Sequence, residues 1–191
     1  YNAALRLDSL HLASLRNLAI LDFESGKYEV AASQLVKALK QIPNDDGLAW
    51  YFLGLSHLKE KNTDAAQACG FKASRCSGTV ARGYDLVGRS YMLENKYDEA
   101  EKYFQKAYLS DLNDPLIYHH YLLAAYVGGK KEKALALASK RIEEYPTELT
   151  TRFLLAISEP ENNSIAEIRD FLGEDDFQIL EASLVFSRLG L

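Results

Sequence analysis

The sequence predicts an all-α protein built from antiparallel helix pairs, with extra helices at its C-terminal end. Three observations lead there. A six-residue pattern recurs four times, as Gly26-Lys27-Tyr28-Glu29-Val30-Ala31, Lys61-Asn62-Thr63-Asp64-Ala65-Ala66, Asn95-Lys96-Tyr97-Asp98-Glu99-Ala100 and Gly129-Lys130-Lys131-Glu132-Lys133-Ala134. Its closing alanines lie 35, 34 and 34 residues apart, and the first three are followed seven residues on by Ala38, Ala73 and Ala107. Upstream of the first three copies, Leu18-Ala19, Leu53-Gly54 and Val87-Gly88 set an aliphatic residue beside a small one. A repeat of this length holds two short helices and two turns. One such pair cannot bury its apolar faces unaided, so the pairs must stack.

The elements follow in order. Four units span 12–46, 47–80, 81–114 and 115–148. The first helix of a unit carries a stripe at helical spacing, as in Trp50, Leu53, Gly54 and His57, and the second carries its own, as in Ala100, Phe104 and Ala107. The small residues let a neighbouring helix approach closely. Twelve residues beyond each repeated alanine come Pro43, Gly78, Leu112 and Pro146, at the turns between units. The extra residue of the first spacing fits in Asn44-Asp45-Asp46-Gly47, a turn that tolerates insertion. Asp114-Pro115 reads as a helix start, an acceptor at the cap and proline at the first helical position. Gly129 sits at a turn within a unit, where glycine permits a positive φ.

Period, turn residues and small-residue positions together resemble the tetratricopeptide repeat, over about Leu12 to Glu148. Three departures stand out. Tyr121-Leu122 replaces Leu-Gly, Arg141 replaces a small residue, and Gly70 replaces an aromatic. They are expected to loosen packing locally. Running the register backwards puts Tyr1 on the aromatic position of an earlier second helix, Ala4 on its small position and Asp8-Ser9 on its closing turn. Residues 1–11 are therefore expected to be a second-helix remnant, and the chain a fragment of a longer array that self-associates through its cut ends.

Residues 149–191 read as a degenerate fifth unit. Leu149 to Ser158 resembles a first helix, which Pro160, Asn162 and Asn163 then break. Ser164-Ile165-Ala166-Glu167 is a capping box for a short helix closed by Gly173. Asp175 or Asp176 caps a last helix running to about Leu189. From Glu159 onward there are 8 acids and 2 bases, whereas the rest of the chain is nearly neutral.

Composition narrows the function. The 191 residues are 48% hydrophobic and 26% charged, with a net charge of −5. That describes a folded chain with no general attraction for nucleic acid or an anionic membrane, and no apolar run is long enough to span a bilayer. No secretory leader is visible. Cys69 and Cys76 lie seven apart in a helical pattern, roughly 10 Å along an axis, too far to bridge. Few cysteines suggest a reducing compartment, and the expected location is cytoplasmic.

No catalytic motif is present: no Gly-x-Ser-x-Gly, no His-Glu-x-x-His, and no phosphate-binding glycine loop. The histidines, His11, His57, His119 and His120, form no chelating set, since adjacent helical residues point about 100° apart. No metal, cofactor or catalytic residue is expected.

The resemblance implies a right-handed superhelix whose concave groove is lined by the first helices. Its groove positions fall on Ala13, Arg16, Ile20 and Phe23, on Leu48, Tyr51, Leu55 and Leu58, on Arg82, Asp85, Arg89 and Met92, and on Leu116, His119, Leu123 and Tyr126. Arrays that grip a C-terminal carboxylate use Lys and Asn there. Ile20 and Phe52 occupy two of the Asn places, so that clamp is not carried over, although Arg16, Arg82 and Arg89 remain as anion-binding groups. The expected function is a non-catalytic scaffold binding a peptide, helix or neighbouring domain, with an amphipathic, acid-bearing segment as partner. The alternative is an appendage of a larger multidomain enzyme whose catalytic domain lies outside this sequence.

Overall fold

A computed structural model describes residues 12–40, 46–148, 150–152 and 155. The described residues form helices α1 (Leu12–Glu24), α2 (Tyr28–Leu39), α3 (Gly47–Lys59), α4 (Thr63–Ala73), α5 (Val80–Leu93), α6 (Tyr97–Ser110), α7 (Pro115–Val127) and α8 (Lys131–Glu144). The fold is all-α and made of helix pairs. The chain divides between Tyr118 and His119 into two compact units, so α7 begins in the first and ends in the second. The expectations for residues 1–11, for the turn at 41–45 and for the helices beyond 155 lie outside the described residues. Residues 150–152 and 155 are helical.

The turn inside each pair is one motif used four times. Gly26, Lys61, Asn95 and Gly129 take φ of +79°, +59°, +58° and +81°. The next residue then donates its amide back five positions: Lys27 to Asp22, Asn62 to His57, Lys96 to Tyr91 and Lys130 to Ala125, all at 2.8–3.0 Å. This left-handed closure satisfies the orphan carbonyls of the first helix and turns the chain into the second. Glycine takes it without strain; Lys61 and Asn95 do not have that freedom. Side-chain caps start three helices. Asp46 accepts from the Ala49 amide at 3.0 Å, Asn62 from Ala65 at 3.2 Å, and Asp114 from Leu116 and Ile117 at 2.9 and 3.3 Å.

In the first unit each helix packs on the next from α1 to α6, and the first helices also touch, α1 with α3 and α3 with α5. All four repeated alanines, Ala31, Ala66, Ala100 and Ala134, are fully buried, as are Ala38, Ala73 and Ala107. The expected close approach is visible at two small residues. A Cβ on Gly88 would lie 2.7 Å from the Phe104 ring, and one on Gly54 would lie 2.9 Å from Cys69 Cβ and press into Leu86.

Gly70 corrects an expectation. Its missing aromatic does not loosen the joint between α4 and α5. A Cβ there would lie 2.9 Å from the Gly83 carbonyl and 2.7 Å from Val87 Cγ2, while one on Gly83 would lie 2.6 Å from the Gly70 carbonyl and strike the Ser74 backbone. Two glycines let two helix backbones touch. Cys76 is a second correction. It lies past the end of α4, in the turn before Gly78, so the two cysteines do not share a helix; both are buried free thiols. Burial pushes the Cys69 thiol up to about 11.

The second unit is knit by charge. Arg141, standing where a small residue is usual, is 4% exposed and grips Glu148 through two guanidinium nitrogens, at 3.1 Å each. Thr151 donates to the same carboxylate at 2.7 Å, and His119 Nε2 stands 3.5 Å from it. Arg141 also stacks on Tyr145, 3.9 Å from the ring centroid. Burial acts to raise the Glu148 carboxyl, but the His119, Arg141 and Thr151 side chains outweigh it and hold it at about 2. No helix among the described residues is long and apolar enough to cross a membrane.

Candidate protein-binding face

The first helices of the first unit carry the residues of interest. On α1, Arg16 is committed within the fold: its Nη1 pairs with buried Asp46 at 3.3 Å, and Asp46 in turn caps α3. This tie fixes α1 against the start of α3. The Arg16 side chain stays partly exposed beside it. Ile20 is half-buried on the same helix.

On α3, Leu48 and Tyr51 are half-buried, whereas Leu55 is buried. Tyr51 leans edge-on against Phe52, which meets Phe23 in the same way, with centroids 5.5 and 5.6 Å apart. On α5, Arg82 is exposed and Asp85 is buried at 4% exposure. Arg89 is half-buried, with Nη1 3.9 Å from the Asp85 carboxylate.

The Tyr51 hydroxyl feels charges of both signs. Burial raises its pKa first and the Asp85 charge second. Arg89 and Arg82 pull the other way, and Asp114 adds a smaller upward push. One phenol thus lies within electrostatic reach of both arginines and of the aspartate. It remains a protonated donor at neutral pH.

The remaining candidates stand apart from this cluster. Leu55 and Leu123 are buried, so their side chains pack inside the fold and offer no contact area. His119 belongs to the Glu148 network of the second unit. Tyr126 is half-buried there.

A second aromatic feature escaped the sequence reading. Tyr103 of α6 stacks on Tyr91 at 5.5 Å and 13°, and lies 6.3 Å from Tyr84 at 31°. Phe71 meets Tyr103 edge-on at 5.6 Å. Lys106 stands 4.9 Å from the Tyr103 centroid and Lys96 5.9 Å from that of Tyr91. The seven-residue spacing of Tyr84 and Tyr91 was the available signal. Among the described residues, no group of three or more His, Cys, Asp or Glu side chains is arranged to hold a metal ion.

Comparison with known proteins agrees with the repeat architecture. Family models described as tetratricopeptide repeat match residues 16–69 and 81–114. Among curated proteins, none matches by sequence. Solved structures with the same fold include PilF of Pseudomonas aeruginosa, with a TM-score of 0.73 at 18% identity, covering 93% of this chain and 82% of that one. A tetratricopeptide repeat protein from Parabacteroides merdae has a TM-score of 0.71 at 20% identity, covering 97% and 74%. YrrB, described as a tetratricopeptide repeat protein with an unusual peptide-binding site, has a TM-score of 0.65 at 18% identity, covering 95% and 96%.

Proposed function

The chain is a tetratricopeptide-repeat protein, and from that premise we propose that it is a non-catalytic scaffold holding a segment of another protein against the first helices of its first unit. The observation that carries this reading is the α3–α5 face: α3 carries half-buried Leu48 and Tyr51, α5 touches α3 and carries Arg82, Asp85 and Arg89, and the Tyr51 phenol feels the charge of all three. Tyrosine and arginine are the side chains that contribute most to protein contacts, because each combines area with directed hydrogen bonds. The peptide-binding site described for YrrB, a protein of similar fold, supports the same mode of action. The fitting partner is an amphipathic segment whose apolar side chains cover Leu48 and Tyr51 and whose acids meet the arginines.

Two variants test it against proteins captured by the full chain. Tyr51→Ala is expected to weaken capture by about 1–2 kcal/mol while leaving the helical content intact. Arg89→Glu is expected to weaken it and to flatten its dependence on salt. If both variants hold every partner as firmly as the parent does, the face is not the binding surface.

A further inference from the structure

Lys37 of α2, Lys72 of α4 and Lys106 of α6 each stand six residues beyond a repeated alanine, Ala31, Ala66 and Ala100. Lys140 keeps the same place after Ala134 in the fourth copy. The alanines are fully buried and the lysines are exposed. A second exposed cation lies within a turn of the first three: Lys40 beside Lys37, Arg75 beside Lys72 and Lys102 beside Lys106. Among the described residues, none of these six cations is in an ion pair.

Ring contacts bring two of the lysines onto one surface. Lys72 Nζ stands 3.9 Å from the Trp50 centroid, and Lys106 Nζ 5.7 Å from that of Tyr84. Trp50 and Tyr84 lie 34 residues apart, as do Lys72 and Lys106, so one pairing is built twice. Phe71, next to Lys72, meets Tyr103 edge-on at 5.6 Å, and Lys106 stands over the same Tyr103 ring at 4.9 Å. Helices α4 and α6 thus meet through side chains at the row itself. Helix axes in contact lie about 10 Å apart. The rings also hold the lysine stems, which lowers the entropy lost when an anion is gripped.

Acids stand away from the row. No Asp or Glu lies within four residues of Lys37, Lys72 or Lys106. Glu29, Asp64 and Asp98 gather in the first turns, eight residues before each lysine, about 12 Å along an axis. Glu101 is buried, and Asp111, beyond the end of α6, holds the Asn113 amide at 3.2 Å. On the neighbouring first helices, Asp46 pairs with Arg16 and Asp85 faces Arg89. Six cations against Glu101 and Asp111 leave the row positive even with both acids ionised.

We propose that this row is a second docking surface, separate from the face on the first helices, and that its occupant is an acidic segment of a partner protein lying extended across α2, α4 and α6. An extended chain advances about 3.3 Å per residue. A step of about 10 Å from one second helix to the next is therefore matched by a carboxylate at every third residue. A nucleic acid strand needs open ring faces for its bases. Here the rings are already covered, Trp50 by Lys72 and Tyr103 by Tyr91 and Lys106.

Fluorescence anisotropy with labelled synthetic probes tests this on the full chain. The probes are a peptide with aspartate at every third position among glycine and serine, a peptide of the same composition with its aspartates contiguous, and an oligothymidylate. The spaced peptide is expected to bind most tightly, and its affinity to fall as salt is raised. Lys37→Gln, Lys72→Gln and Lys106→Gln together are expected to weaken it about tenfold, with helical content unchanged at these exposed sites. Lys27→Gln, Lys61→Gln and Lys131→Gln together remove the same charge from the turns inside units, and are expected to leave affinity within about twofold. Equal binding of the two peptides, tighter binding of the oligothymidylate, or equal losses in the two triple variants would each overturn the proposal. Should the row variant lose helical content, Lys72→Gln and Lys106→Gln decide it singly, each expected to weaken the spaced peptide. Tyr51→Ala is expected to leave these titrations unchanged, so the two surfaces are judged separately.

Discussion

Ala73 of α4 and Arg141 of α8 hold the same place two repeats apart, and the two joints they belong to are closed by opposite means. At the first, Gly70, Ala73 and Gly83 bring two backbones into contact with no charge involved. At the second, a long cation fills the space and must be answered by an aromatic ring and by Glu148, which Thr151 in turn holds. Close-packed backbone depends on the absence of atoms, so it has no tolerance for an added methyl group and no dependence on pH. A buried ion pair depends on every partner being present, so it fails when one is removed or neutralised. One repeat pattern therefore yields a joint limited by shape and a joint limited by charge.

The sharpest way to break the comparison is Gly83→Ala. The new Cβ meets the Ser74 backbone, which no rotamer change can move aside. A loss of about 3 kcal/mol or more is expected from the denaturant midpoint. A cost well under 1 kcal/mol would show that α4 and α5 do not touch as described. Glu148→Gln is expected to cost slightly less, about 3 kcal/mol, because Arg141 is left buried with a weaker acceptor. Its effect should fall on the second unit, which proteolysis at rising denaturant can locate.

Acid separates the joints without mutation. The folded Glu148 carboxyl sits at about 2, below its ordinary value of 4.5. A carboxyl depressed by folding contributes stability that is complete above the unfolded value and is lost as pH falls through the folded one. The second unit is thus expected to weaken between about pH 4.5 and 2, and Glu148→Gln to remove that part of the acid sensitivity. Thermal melting across this range checks it. An unchanged acid profile in the variant would place the sensitivity elsewhere. The smallest effect expected is a gain. Lys61 holds φ +59°, where glycine is unstrained, so Lys61→Gly should stabilise by about 0.5–1 kcal/mol. Asn95→Gly should gain less, because asparagine tolerates this region better.

Particular residues show how far reading along the chain could reach. The repeated alanines were legible because a small residue at a fixed period means one thing, a helix contact, whichever helix arrives. Asp114-Pro115 was legible because capping is local, and α7 begins at Pro115 as expected. Gly70 was misread as a defect, since the value of a missing side chain depends on Gly83, thirteen residues away on the next helix. Arg141 was noticed as an anomaly, but Glu148 lies across a turn and outside the spacings at which helical neighbours meet. In the candidate face, the common side of Arg82, Asp85 and Arg89 followed from spacing, whereas the approach of Tyr51 from α3 did not. Leu55 and Leu123 were placed in the groove by register and proved to be buried.

Period, patterning and local turn chemistry, all readable along the chain, determined by themselves that this protein is built of repeated helix pairs. These signals act over a few residues and recur, so each copy reinforces the others. Tertiary structure decided which charges are spent and which are open. Arg16 is given to Asp46 and Arg141 to Glu148, while Arg82 faces solvent. An arginine reads the same in all three places along the chain. Only the helix that packs beside it determines whether its charge holds the fold together or faces solvent, because electrostatic pairing depends on distance and burial rather than on order in sequence.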